Sequence, residues 1–185
     1  MNPRKIFKIA VLVVTLGALG AGGYFYAQKT GSGNNEGLLQ ELDFQKTGIR
    51  IIPAGWKEYR NELHGFSLLY SGNLAINQFD EGGGASTITF EDKDAGLGFQ
   101  IFAVPYGEEK ISQERFLKDS PLGVMESRND LKVDGVSATS FYGKNERLGE
   151  TWEVWFIRHG LLYEVSTTRN LEEWLSDIMN TWLFL

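Results

Sequence analysis

Thr151-Trp-Glu-Val-Trp-Phe-Ile-Arg-His-Gly-Leu-Leu-Tyr-Glu-Val-Ser-Thr-Thr168 decides the fold of this chain. Thr151–Arg158 and Leu161–Thr168 are two β-rich runs joined by His159-Gly160, a pairing that predicts a tight antiparallel hairpin. Trp152 and Trp155 have opposite parity within the first run. Successive side chains of a strand point to opposite faces, so the two rings lie on opposite sides of the sheet.

A helix and a strand close the chain after this hairpin. Leu171, Trp174, Leu175, Ile178, Met179 and Trp182 recur at helical spacing as one apolar stripe. Asn170 is the predicted cap, paired with Glu173 in a capping-box pattern. The final Trp-Leu-Phe-Leu reads as a short last strand.

Upstream, strands again dominate. Gly98–Val104 carries Phe99 and Ile101 on one face and Phe102 and Val104 on the other, which predicts a strand covered on both sides. Strands are also expected at Trp56–Arg60, at Phe66–Tyr70, at Leu74–Phe79, at Ser86–Glu91 and at Val136–Tyr142. One further helix starts at the N-cap Ser112, with Ile111 and Phe116 at hydrophobic-staple positions, and Pro121 ends it. Hairpin-length connections make the sheet mostly antiparallel. The two-faced central strands ask for helices on both sides, an α+β sandwich.

Pro53-Ala54-Gly55 marks the domain boundary. Residues 56–185 form one domain, large enough for a core without disulfides, and the sequence holds no Cys. Residues 30–55 read as linker, Gly/Ser/Asn-rich at the start. Residues 1–29 hold Arg4, Lys5 and Lys8, then nineteen uncharged residues from Ile9 to Ala27. As a helix, a run of that length spans roughly 28 Å, close to the apolar thickness of a bilayer. The basic residues before it keep the N-terminus in the cytoplasm and send the domain across, as a single-pass anchor in a bacterial membrane. Ala18-Leu19-Gly20 leaves cleavage by a signal peptidase open. The absence of Cys excludes a lipoprotein anchor.

Charge limits the partners. Residues 56–185 hold twelve basic and twenty-one acidic side chains, a net of −9. Phosphate repulsion argues against nucleic acid.

His64-Gly-Phe-Ser-Leu-Leu-Tyr-Ser-Gly-Asn-Leu74 resembles the opening of PsbP-like domains, with Ser71 and Leu74 standing where that family usually has Pro and Trp. The resemblance continues through the 151–168 hairpin and ends in Glu172–Leu185. It implies an antiparallel sheet flanked by helices. It also implies a binding or assembly role without catalysis, and it brings no family-wide catalytic residues.

The chemistry in the residues is sparse. His64 and His159 are the only histidines, each beside a glycine in an expected exposed turn, and no Gly-x-Ser-x-Gly elbow accompanies them. Asp92-x-Asp94-x-Gly96 begins like a calcium loop, yet Ala103 stands at its twelfth position, so a polar hairpin turn explains it better; weak Ca²⁺ binding at Asp92 and Asp94 is left open. Gly82-Gly83-Gly84 lacks the Lys and Ser/Thr of a phosphate loop. Catalytic, cofactor and metal residues are therefore none. Among the aromatics, Trp152, Trp174 and Trp182 are expected in the core, while Trp56, Tyr59 and Trp155 are candidates for an interaction surface. The expected role is a membrane-anchored extracytoplasmic binding or assembly module with an envelope protein partner. The alternatives are a small exported hydrolase or ligand-binding enzyme, and a structural tether whose anchor dimerises through the small residues of Gly17-x-x-x-Ala21 and Ala18-x-x-x-Gly22.

Overall fold

The structure, a computed structural model, describes residues 50–185, and for 124–128 the backbone alone. The expected anchor at 9–27, most of the linker and the candidate cleavage site near Gly20 lie outside the described residues. Among the described residues no helix is long and apolar enough to cross a membrane.

Ten strands and two α-helices follow in order: β1 (Trp56–Asn61), β2 (Phe66–Ser71), β3 (Ala75–Gly82), β4 (Ala85–Asp92), β5 (Leu97–Pro105), α1 (Gln113–Asp119), β6 (Val124–Val133), β7 (Val136–Asn145), β8 (Gly149–Arg158), β9 (Leu161–Thr168), α2 (Glu172–Met179) and β10 (Leu183–Phe184). Every pairing is antiparallel. The strands form two sheets rather than one: a seven-stranded sheet β3-β4-β5-β9-β8-β7-β6 and a three-stranded sheet β1-β2-β10.

The 151–168 hairpin lies inside the large sheet, β8 beside β9 with Val154 opposite Val165. His159 takes φ +51° and Gly160 φ +75°, the left-handed pair that a two-residue hairpin turn requires. Trp152, Val154 and Phe156 face one side with Tyr163, Val165, Phe99, Ile101, Ile88 and Phe90. This face packs on the inner face of the small sheet, through Phe66, Leu68 and Tyr70, and on Leu175, Ile178, Met179 and Trp182 of the closing segment. Phe66 stacks on Trp182 at 4.3 Å and Phe90 on Phe99 at 4.4 Å. The main core therefore lies between two sheets, with α2 completing it. Helical cover alone was expected on this face; a sheet supplies most of it, because β2 finds its second neighbour in the C-terminal β10.

α1 lies on the opposite face of the large sheet, where Phe116, Phe141 and Trp155 form a small second cluster with Ile111 at its edge. Ser112 caps α1, its Oγ accepting from the Arg115 amide at 3.2 Å. One expectation is corrected, and one strand is new. Asn170 does not cap the closing helix: Arg169–Leu171 form a 3-10 turn, and the N-cap of α2 is Leu171, with no side-chain hydrogen bond. And β6, which the sequence pattern does not reveal, forms the edge of the large sheet.

Candidate functional site

β9 and α1 bring three charges together on the second face of the large sheet. Arg115 projects from α1 toward Glu164 of β9, Nη2 donating to Oε1 at 3.2 Å, and its Nε pairs with Asp119 one turn on. All three side chains are nearly buried. Burial, and then the neighbouring Asp119, push the Glu164 carboxyl well above its usual range, and Arg115 opposes the shift. Two carboxylates thus share one guanidinium under a seven-residue helix.

Glu153 stands on the same face, because it pairs with Ser166, two residues from Glu164 along β9. Burial pushes its carboxyl up to about 7, with hydrogen bonds from Thr151 and Trp155 opposing. The Trp155 indole N–H donates to its Oε2 at 3.3 Å. The sheet leaves no room for a side chain beside it: a Cβ on Gly143 would stand 3.0 Å from the Thr151 hydroxyl. Arg115, held by Asp119 and Glu164, pins α1 to the sheet.

The histidines lie away from this cluster. His64 is buried, not exposed as expected, at 2% of its full accessibility. Its ring lies between two acceptors, Asn61 Oδ1 at 3.3 Å and the Gly84 carbonyl at 3.4 Å, and its own carbonyl accepts from the Tyr163 hydroxyl. The burial follows from Asn61, whose Oδ1 also accepts from the His64 amide at 2.9 Å and folds the turn inward. His159 is exposed in its hairpin turn. Asp92 and Asp94 belong to a polar turn in which Asp92 Oδ1 accepts from the amides of Asp94 and Ala95 at 3.1 and 3.0 Å. Among the described residues no group of three or more His, Asp or Glu side chains is gathered for a metal.

The three aromatic candidates do not form one surface. Trp155 is 2% exposed and sits between Phe116 and Phe141, a correction to its expected place, because α1 covers it. Tyr59 joins the sheets: its ring meets Phe90 edge-on at 5.2 Å, and its hydroxyl donates to Gln78 at 3.1 Å. Trp56 is half-buried against the main core.

Two surface features escape the sequence reading. One is an open cavity of about 600 Å³ lined by Leu148, Glu150, Thr168, Arg169, Asn170 and Glu172. There the Arg169 guanidinium lies 4.2 Å over the Tyr142 ring and pairs with Glu150 at 3.0 Å. The other is apolar. Five of the seven large hydrophobic side chains exposed among the described residues, Ile51, Ile52, Leu63, Leu183 and Leu185, belong to the segment entering β1, the β1–β2 turn and the β10 end. No motif announces these positions, since they are spread over more than 130 residues of sequence.

No family model matches the chain, and no curated protein matches it. Among solved structures it is similar to the solution structure of cyanobacterial PsbP (CyanoP) from Synechocystis sp. PCC 6803, with a TM-score of 0.49 and 14% identity, covering 75% of this chain and 96% of that one.

Proposed function

We propose that this protein is a membrane-anchored binding or assembly module, held by residues 9–27 with its folded domain outside the cytoplasm of a bacterial cell, and that its partner is another envelope protein. The observation that carries this reading is the order of the N-terminal sequence: three basic residues, nineteen uncharged residues, a Gly/Ser/Asn-rich stretch, then an acidic domain. A basic stub before an uncharged run of bilayer length orients the crossing. The filled core between two sheets supports a binding role, because the buried charges on the second face of the large sheet, Asp119 and Glu164 around Arg115, hold helix α1 in place.

Crosslinking in intact membranes followed by affinity capture tests the role. One envelope protein recovered reproducibly, at a ratio far above abundant membrane proteins, is the expected result. Recovery of abundant bystanders alone contradicts it.

A further inference from the structure

Helix α1 rests on the sheet through charge as much as through apolar contact. Within Gln113–Asp119 the residues turned inward are Arg115, Phe116 and Asp119, spaced i, i+1 and i+4 on one helical face. Phe116 is the one apolar side chain among them, lying 5.2 Å from the rings of both Phe141 and Trp155. Leu117, the other large apolar residue of the helix, is 55% exposed. A helix of seven residues does not hold itself together in water, so its attachment to the sheet keeps it folded.

The rest of that attachment is the Arg115–Asp119–Glu164 cluster. Its three side chains keep 13%, 7% and 11% of their accessibility. With both carboxyls ionised, these three groups carry a net charge of −1 beneath the helix. With one proton on the pair they are neutral. An uncompensated charge taken out of water is costly, so the proton favours the closed arrangement.

The groups facing Glu164 come from three elements. Arg115 and Asp119 reach it from α1, while Glu114 and Lys118 are exposed on the far side of the helix. Phe102 of β5 and Trp155 of β8 stand opposite it in the sheet, and both are uncharged. Glu153, two residues before Trp155, is a further carboxyl on this face and accepts from the Trp155 indole N–H at 3.3 Å. Burial, and then Asp119, raise the Glu164 carboxyl well above its usual range. The proton is therefore held below that raised value and lost as pH climbs through it.

The two ends of α1 are fastened differently. At the start, the Tyr106 hydroxyl accepts from the Ser112 amide at 2.9 Å and donates to the Lys110 carbonyl at 3.1 Å. At the finish, Asp119 belongs to the charged cluster, and Gly123 follows with φ +78°, a conformation that suits a glycine joint.

We propose that α1 is a proton-operated flap over Trp155. With one proton on the Asp119–Glu164 pair it lies closed on the sheet. Loss of that proton swings its C-terminal end out to solvent about the Tyr106 clamp, rehydrating the carboxylates and uncovering Trp155 and Phe141. The flap works in the same way wherever the domain is placed.

Hydrogen exchange of the full chain, read by mass spectrometry and corrected for the intrinsic effect of pH, tests this. Protection of residues 113–120 is expected to fall roughly tenfold or more between pH 5 and pH 8, while that of 151–168 changes far less. Glu164→Gln keeps the shape and removes one of the two negative charges, so it should hold 113–120 protected at pH 8. Asp119→Asn should do the same, and it serves if the first variant does not fold. Equal protection of 113–120 at the two pH values overturns the flap. So does a pH-dependent loss that survives in either folded variant, or an opening of 113–120 and 151–168 together.

Discussion

Glu153 shows how one side chain couples this sheet to pH. A carboxyl raised from 4.5 to about 7 by burial binds its proton more tightly in the folded chain than in the unfolded one. Between those values the folded state holds more protons, so stability falls as pH rises through the window and stays lower above it. Glu153→Gln removes the charge and keeps the shape. It is expected to stabilise the fold at pH 8 by an amount on the order of 1–3 kcal/mol, seen as a higher melting temperature, and to leave stability nearly unchanged at pH 5. Thermal melts of both proteins from pH 5 to 8 check this; parallel curves contradict it. Glu164 shifts in the same direction, with Arg115 as the opposing cation. Removing that cation strands two carboxylates, so Arg115→Met should cost about 3–5 kcal/mol in denaturant unfolding at neutral pH. Neither carboxylate was legible as a buried charge, because alternation assigns a face but not what covers it. Trp155 was misread for the same reason, and His64 because the Asn61 side chain that draws it inward leaves no trace in hydrophobic spacing.

At the scale of elements, local signals succeeded where local chemistry decides. The α1 start was legible because Ser112 makes its own cap and Ile111 its own staple. Ser112→Ala is expected to cost about 1 kcal/mol. Because α1 is the cover over Trp155, the indole fluorescence should shift to the red before the main core unfolds. The 161–168 strand was legible because its hairpin turn and its alternation agree. β6 was not, because Asn129, Asp130 and Lys132 interrupt any apolar pattern and two register shifts break its pairing with β7; an edge strand needs only one good neighbour. The apolar stripe of the closing helix outran the helix itself. α2 stops at Met179, and Trp182 reaches the core from the turn that follows, where its amide donates to the Met179 carbonyl at 3.0 Å. Trp182 stacks on Phe66 and meets Phe156 and Tyr163 edge-on, so it locks both sheets together. Trp182→Ala should cost about 3–5 kcal/mol in chemical denaturation. Leu183→Ala, at an exposed position of the same segment, should cost well under 1 kcal/mol.

For the whole molecule, the sequence foresaw an antiparallel α+β domain but not its division into two sheets. Pattern alone cannot say that β2 pairs with a strand more than a hundred residues later, since that choice is made by the fit of Phe66 between Trp182 and Tyr163. The domain that results is acidic and closed around its aromatic core. We propose that residues 9–27 stay in the membrane and that the domain lies outside the cytoplasm. Protease digestion of intact bacterial cells carrying the full chain, read together with carbonate extraction of their membranes, tests both at once. Carbonate-resistant protein whose domain is cut once the outer barrier is permeabilised and the inner membrane left sealed is expected. A domain that is cut only after that membrane is broken, or that leaves it in carbonate, contradicts the anchored reading.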